Sequence, residues 1–426
     1  MKAVVLAAGE GLRLQPITST RPKHLIKVGG KPILEHCLEA LKSAGISEAV
    51  IVVHYMADAI RQRFGNGERF GMKIEYAEQQ AVIGTGNAVG YAEPYVKDEF
   101  ILVYGDLLFT GDAVKKALTA HQKEKPTATI AVVPVEKPED YGVLELENEN
   151  RVKRIIEKPN RDQAPTNLAN AGIYVFQTEI FRKAQEISSS SRGEWEITDA
   201  ISLLAKENKM VLAVKISHDD WFDIGRPWDL LEANAWALSR MRHKVEGLIE
   251  EGARLVGPVT VAESARIRSG AYIEGPAFID GGSDIGPNCF IRPCTSIGKN
   301  VRLGNACEIK NSILMDGVHI GHLSYVGDSI LGEKCNLGAG TITANYRLDA
   351  GNVKMTVKDK VVDSERRKLG AILGDYVKSG INALFMPGVK VGANTWVGPN
   401  VVVERDLPSN TVVLLKQTVE KRELKR

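Results

Sequence analysis

Between residues 255 and 309 a branched aliphatic side chain returns at every sixth position: Leu255, Val261, Ile267, Ile273, Ile279, Ile285, Ile291, Ile297, Leu303 and Ile309. A period of six fits neither one face of an α-helix nor the simple alternation of a strand. It fits a coil of short parallel strands in which one aliphatic side chain per face stacks inward, so this half of the chain reads as a β-helix of hexapeptide repeats. The hexads lose register near Met315, resume at Ile320 and Val326, and shift again to Leu331 and Leu337. One-residue slips of this kind are expected where a coil bulges. A charged stretch, Tyr346 to Lys368, interrupts the period, which returns at Leu373, Ser379, Phe385, Val391 and Val397. That stretch reads as a loop excursion, and the basic tail KQTVEKRELKR as a solvated end.

Residues 1–228 follow a different rule. Short apolar runs (KAVVLAAG, EAVIVVHY, MKIEYAEQ, EFILVYGD) alternate with amphipathic segments such as KPILEHCLEALKSAG and ADAIRQRFG. Such βαβ alternation specifies an α/β domain with a Rossmann-like, mostly parallel sheet, covered on both faces and binding ligands at the carboxyl ends of its strands. The stretch 227–251, PWDLLEANAWALSRMRHKVEGLIEE, carries apolar residues at helical spacing and stops before Gly252. The expected organisation is an α/β domain over 1–228, a linker helix over 229–252 and the β-helix over 253–426.

Composition excludes several function classes. A hydrophobic content of 44%, a charged content of 25% and a net charge of +2 are those of a soluble globular protein and give no case for nucleic-acid binding. The apolar run at the N-terminus is too short for a signal peptide, and no stretch of about 18 apolar residues could span a bilayer, so a cytoplasmic protein without a membrane partner is expected. Cys37, Cys289, Cys294, Cys307 and Cys335 include no CxxC pair and read as buried thiols rather than a disulfide or zinc framework.

Directly after the first strand comes Leu6-Ala7-Ala8-Gly9-Glu10-Gly11-Leu12-Arg13, followed by Pro16, Thr18, Pro22 and Lys23. Glycine lets backbone N–H groups approach a phosphate, and Arg13 and Lys23 add mobile positive charge, an arrangement that suits a nucleoside triphosphate. A lone GxG would read as a tight turn with two surface cations. Here Gly84-Thr85-Gly86-Asn87, Val103-Tyr104-Gly105-Asp106, Glu157-Lys158-Pro159, Asn170-Ala171-Gly172 and Trp221-Phe222-Asp223-Ile224-Gly225 follow in order.

The stretch GEGLRLQPITSTRPKHLIKVGGKPI resembles the signature of sugar-1-phosphate nucleotidylyltransferases, and the later segments keep that family's order over nearly all of residues 1–228. The resemblance implies that Leu6, Ala8, Gly9, Gly11, Gln79, Gly84 and Thr85 meet the nucleotide, and that Arg13 and Lys23 are catalytic. It further implies that Asp106 and Asp223 bind Mg²⁺, and that Gly142, Glu157 and Asn170 contact the sugar. The chemistry is consistent. A sugar phosphate oxygen attacks the α-phosphorus and pyrophosphate leaves in line; the nucleophile is already an anion at neutral pH, because a phosphate monoester's second pKa is about 6. No general base is required. What is needed is neutralisation of two polyanions, by a hard cation on paired carboxylates and by side-chain cations on the leaving group.

Within the hexads, Ile320-Gly321-His322-Leu323-Ser324-Tyr325-Val326-Gly327-Asp328 precedes Leu337-Gly338-Ala339-Gly340-Thr341-Ile342-Thr343-Ala344-Asn345-Tyr346. These stretches resemble the acetyltransferase half of the bifunctional glucosamine-1-phosphate acetyltransferase/N-acetylglucosamine-1-phosphate uridylyltransferase family. The resemblance implies that His322 is the general base, that Arg292 and Lys310 hold the sugar phosphate, and that Tyr325 and Asn345 contact the sugar. Lys354 would be a further phosphate-binding lysine, although its spacing after Asn345 is longer than the bacterial pattern. Ser379 and Val397 would meet acetyl-CoA. Acetyl transfer to an amine needs a proton acceptor, and imidazole titrates in the right range; His319, three residues earlier, reads as a plain corner residue. The resemblance also implies a left-handed β-helix and a homotrimer or dimer of trimers.

The expected protein is therefore bifunctional. It would acetylate glucosamine-1-phosphate or galactosamine-1-phosphate, and would transfer UMP or dTMP from UTP or dTTP to N-acetylglucosamine-1-phosphate or glucose-1-phosphate. The rival reading is a nucleotidylyltransferase whose β-helix serves only assembly or regulation. Base and sugar C4 configuration stay open, since each depends on local hydrogen bonds.

Overall fold

The structure is a computed structural model of the single chain and describes residues 1–190 and 192–424. It divides into two compact units, one of Met1–Glu10, Arg21–Ile26 and Lys31–Ile224, the other of Gly11–Thr20, Lys27–Gly30 and Gly225–Arg426.

In the first unit the apolar runs become strands β1 (Lys2–Ala7), β2 (Glu48–Val53), β3 (Lys73–Glu78) and β4 (Phe100–Tyr104), paired in parallel in the order β4-β1-β2-β3. Period-two alternation splits β1 between two cores. Ala3, Val5 and Ala7 pack with helix Ile33–Ser43 and helix Gly111–Glu124, while Val4 and Leu6 face helices Glu179–Glu186 and Ile197–Lys206. Leu168–Phe176 then enters antiparallel to β4 and carries the remaining strands, so the nine-stranded sheet is parallel over its first four strands and mixed beyond. The chain builds first on one side of β1 and later on the other. A crevice therefore opens at the carboxyl ends of β1 and β4, the place where such sheets bind ligands.

The second unit is the left-handed β-helix. Its three faces are parallel sheets of eight, eight and nine strands. Pairing stacks Leu255, Ile273, Ile291, Ile309, Val326, Thr343, Phe385 and Val403 in one inward ladder, and Val261, Ile279, Ile297, Leu314, Leu331, Leu373 and Val391 in a second. Each fully buried aliphatic side chain in these ladders contributes about 1.5–3 kcal/mol. Corner residues recur about every six positions with positive φ, among them Gly270, Gly282, Asn288, Asn300, Asn311 and Gly340. Glycine and asparagine enter that left-handed region at least cost.

Both register slips fall at one edge. Ile309 to Leu314 and Val326 to Leu331 are five residues apart where Ile291 to Ile297 is six, so the corner between the first and second faces is a residue short in two successive coils. In the next coil the same corner, from Thr343 to Leu373, carries the excursion.

Two expectations are corrected. The linker helix covers only Asp229–Ser239, and Lys244–Val245 and Leu248–Ile249 are already strands paired with Thr260–Val261 and Arg266–Ile267. Val245, Leu248 and Ile249 sit at i, i+3 and i+4, which mimics a helical stripe, yet Ile249 stands six before Leu255 and belongs to the hexads. The excursion is not an irregular loop: Lys354–Val357 and Lys360–Asp363 form an antiparallel hairpin over buried Val353 and Met355. Its turn residues Lys358 and Asp359 both have positive φ, the type I′ pattern, but without the usual Asn-Gly pair.

All five cysteines are free thiols; Cys37, Cys289, Cys307 and Cys335 are buried. Among the described residues no helix is long and apolar enough to cross a membrane.

Candidate functional site

The crevice of the first unit gathers residues from three strand ends. Ala8 and Gly9 leave β1, Gln79 follows β3, and Gly105 and Asp106 follow β4. Gly105 donates its N–H to Leu6 O at 2.8 Å, and a Cβ there would stand 3.0 Å from the same oxygen, so glycine permits this closure. The ribbon of Leu107–Phe109 and Trp221–Asp223 is antiparallel and sets Asp223 opposite Leu107, one residue from Asp106. Trp221 pins the ribbon by donating its indole N–H to Ala171 O at 2.7 Å. Lys23, almost fully buried, places Nζ 2.7 Å from Oδ2 of Asp106. Two carboxylates on adjacent strands fit a Mg²⁺ ion, which takes one or two such ligands and completes its shell with water and phosphate oxygens. Among the described residues no group of three or more His, Cys, Asp or Glu is placed to hold a metal ion. Gly11 and Arg13 belong to the second compact unit, so this geometry does not include them.

Gln79 is buried, with Nε2 donating to Ala81 O at 2.9 Å and to Asn87 Oδ1 at 3.0 Å. Those acceptors fix the amide orientation, and Oε1 has no partner among the described residues. Beside it Gly84, at φ +129, lies so close to the Trp195 backbone that a Cβ would stand 2.3 Å from its carbonyl oxygen. Thr85 accepts from the Ile197 N–H at 3.0 Å.

Farther along the cleft Gly142 and Glu157 are a strand pair, and a Cβ on Gly142 would stand 2.6 Å from Glu157 Oε2. Burial raises the Glu157 carboxyl, with Arg192 opposing the rise. Arg192 donates to Glu157 at 3.1 Å and to Glu196 at 3.0 Å, and burial together with the Glu157 charge pushes the Glu196 carboxyl up to about 7. Asn170 donates to Tyr174 Oη at 2.5 Å, and Tyr174 and Tyr104 share a hydrogen bond of 3.0 Å. Sequence reasoning missed Arg192, Glu196 and the tyrosine pair. Glu196, in Glu194-Trp195-Glu196-Ile197, carries no spacing signal; its significance arises from burial beside another carboxylate.

In the second unit a cleft of about 870 Å³ brings together Arg292, Lys310, Tyr325 and Asn345, four of the residues singled out from sequence. The fold explains the gathering: Lys310 pairs with Gly327 on the first face, Arg292 and Asn345 follow strands of that face, and each lies at the same edge in successive coils. Gly327 makes room, since a Cβ there would lie 2.3 Å from Tyr325 Oη and 2.7 Å from Asn345 Nδ2. Tyr325 Oη in turn accepts from Asn345 at 3.0 Å. Buried Asp328, not singled out from sequence, accepts from Lys310 at 3.1 Å, from Asn311 at 2.7 Å and from Asn345. The excursion adds Tyr346, Arg366, Arg367 and Lys368 to the lining.

Four residues singled out from the sequence lie outside this cleft's lining. His322 is exposed at the corner before Tyr325–Gly327, Lys354 stands on the hairpin, and Val397 is buried in an inward ladder where only its backbone could meet a ligand. Ser379 Oγ hydrogen-bonds Thr341 Oγ1 at 2.8 Å, away from the same cleft. His319 is lowered by partial burial and by Arg302 and His322 nearby.

Comparison with known proteins matches the nucleotidyl transferase family over residues 2–240 and the GMPPB C-terminal domain family over residues 273–379. The bifunctional protein GlmU of Methanocaldococcus jannaschii is 44% identical over the full length of both chains. The bifunctional sugar-1-phosphate nucleotidylyltransferase/acetyltransferase of Sulfurisphaera tokodaii is 42% identical, over 96% of this chain and 98% of that one. Among solved structures, a putative glucose-1-phosphate thymidylyltransferase from Bacillus anthracis superposes on 57% of this chain and 98% of its own, with TM-score 0.52 and 31% identity.

Proposed function

The chain belongs to the family of bifunctional sugar-1-phosphate nucleotidylyltransferases/acetyltransferases, and on that premise we propose that its first unit joins a sugar 1-phosphate to UMP or dTMP while its β-helix acetylates an amino-sugar 1-phosphate from acetyl-CoA. The observation that carries the second half is the cleft: Arg292, Lys310, Tyr325 and Asn345, spread over more than fifty residues, line one cavity.

Lys23 of the first unit is assigned to the triphosphate, and Arg13 is assigned to it on the family resemblance alone. Asp106 holds the Lys23 ammonium in place and with Asp223 forms the carboxylate pair that would hold Mg²⁺. When bound, the cation neutralises phosphate charge as pyrophosphate leaves. The Gln79 carbonyl, without a partner among the described residues, is complementary to a ring N–H, which uracil and thymine share with guanine and which adenine and cytosine lack, and so is compatible with UTP or dTTP without separating them. Gly142, Glu157 and Asn170 are assigned to the sugar. A Cβ at Gly142 would crowd Glu157 Oε2, so the bare glycine leaves space beside that carboxylate for a hydroxyl.

In the β-helix the amino sugar is assigned to Tyr325 and Asn345, and its phosphate to the cationic end of the cleft. His322 is the proton acceptor of the reading. It stands at the corner three residues before Tyr325, which lines the cleft, and the reading takes the assembly to be a homotrimer in which His322 of one copy serves the cleft of another. Ser379 and the Val397 backbone are assigned to acetyl-CoA, and Lys354 to a lesser phosphate contact. The reading places both reactions in the cytoplasm, with acetylation supplying the acceptor for nucleotidyl transfer.

The test is a substrate panel with Mg²⁺: UTP, dTTP, ATP and GTP against glucose-, N-acetylglucosamine- and galactosamine-derived 1-phosphates, with pyrophosphate and free thiol measured separately. Pyrophosphate release with UTP or dTTP and thiol release with an amino-sugar 1-phosphate are expected. Absence of thiol release from every amino sugar would leave the β-helix a scaffold.

A further inference from the structure

Residues Arg192–Ile197 are bonded to both halves of the first unit's cleft. On one side Trp195 donates its N–H to Ile83 O at 2.8 Å, its carbonyl accepts from Gly86 at 2.7 Å, and Ile197 donates to Thr85 Oγ1 at 3.0 Å. These three bonds seat the segment on the loop assigned to the nucleotide. Bare glycines admit it there, since a Cβ would stand 2.3 Å from the Trp195 carbonyl oxygen at Gly84 and 3.1 Å from it at Gly86. On the other side a single nitrogen, Arg192 Nη1, donates to Glu157 Oε1 at 3.1 Å and to Glu196 Oε1 at 3.0 Å. Two charged acceptors on one nitrogen fix the direction of the guanidinium.

The segment is held at each end. Upstream, Ser190 donates to Glu194 O at 2.8 Å, and Gly193, at φ +77, donates to Ser190 O at 2.9 Å. Downstream it opens helix Ile197–Lys206, whose Ile197, Ala200, Ile201 and Leu204 are buried. A short segment bonded to two subsites and rooted in the core transmits a change at one to the other. We propose that Arg192–Ile197 is a strap through which nucleotide and sugar phosphate bind cooperatively, with Glu196 the positioning residue that aims Arg192 at Glu157. The inference rests on the nucleotidyl-transfer reading above, which assigns the loop and Glu157 to the two substrates, and deepens it by joining them. A nucleotide seated on Ile83–Gly86 fixes the strap, and the fixed strap holds Arg192. Burial raises the Glu157 carboxyl and Arg192 opposes the rise, so holding Arg192 keeps Glu157 an anion, the better acceptor for sugar hydroxyls. Linkage makes the effect reciprocal: the sugar phosphate tightens the nucleotide by the same factor.

The experiment measures, by calorimetry on the full-length protein with Mg²⁺, the dissociation constant of the sugar 1-phosphate that supports pyrophosphate release. It is measured alone and with the matching triphosphate carrying a methylene in place of its α,β-bridging oxygen, so that pyrophosphate cannot leave. In the unmodified protein the analogue should tighten the sugar phosphate about fivefold or more. Arg192→Gln and Glu196→Ala should bring that factor below about twofold, while the analogue's own affinity, measured alone, stays within about twofold. Glu196→Gln, which keeps an acceptor for Arg192, should retain the coupling. Should Glu196→Ala not fold, Arg192→Gln, at an exposed position, decides alone. Undiminished coupling in Arg192→Gln, or none in the unmodified protein, overturns the proposal while the nucleotidyl-transfer reading stands. Failure of the unmodified protein to release pyrophosphate with any triphosphate overturns that reading and this proposal with it.

Discussion

Glu196 shows how one buried side chain can set a pH dependence. Its carboxyl rises from 4.5 to about 7, chiefly through burial and then through Glu157, so over this range the folded protein keeps a proton that the unfolded chain has shed. The stabilisation is complete below the unfolded value and is lost as pH rises through the folded one. Glu196→Gln should therefore flatten the stability profile between about pH 5 and 8, with a differential of about 1–2 kcal/mol after allowance for the exposed Arg192 partner. Parallel melting curves for the two proteins would remove the assignment. Asp328 makes a second case, since it holds both Lys310 and Asn345. Asp328→Asn should lower kcat/KM for acetyl transfer by about 10–100-fold and leave pyrophosphate release intact. Neither residue was legible in the sequence, because each matters through partners brought close only by folding. Arg292, Lys310, Tyr325 and Asn345 were legible through the family resemblance of the segments that carry them, and the stacking of successive coils is what brings them to one cleft.

Secondary elements were read with the same mixture of success and loss. The hexads and both slips were visible, because a stacked aliphatic ladder leaves a strict period. The end of the linker helix was not, because Val245, Leu248 and Ile249 satisfy helical and hexad spacing at once. The hairpin was hidden by its Lys358-Asp359 turn. A further regularity lay unread in the chain: Asn288, Asn300, Asn311, Asn382, Asn394, Asn400 and Asn410 all occupy left-handed corners. Asn300→Ala should cost about 1 kcal/mol in thermal or denaturant unfolding and Asn300→Gly only a few tenths, because alanine pays for the left-handed conformation and glycine does not. Equal losses for the two would place the contribution in the side-chain contacts of Asn300 instead.

At the scale of the whole molecule the two activities should separate by metal dependence. Chelation should abolish pyrophosphate release and leave thiol release unaffected, since Asp328 is the one carboxylate among the described residues that line the β-helix cleft. Assembly can be tested by complementation. Coexpressed His322→Ala and Arg292→Ala chains should recover about a quarter of the acetyl-transfer sites if each site draws on two copies, and none if each chain is self-sufficient. The corner between the first and second faces adds one more consequence. It is clipped by a residue in two successive coils and carries an insertion in the third, so the hollow assigned to the acceptor is shaped by chain length as well as by side-chain identity. Drift in acceptor preference among such proteins would then be sought first in gained and lost residues at this edge, and a single glycine added after Asn311 should close the hollow while every named side chain remains in place.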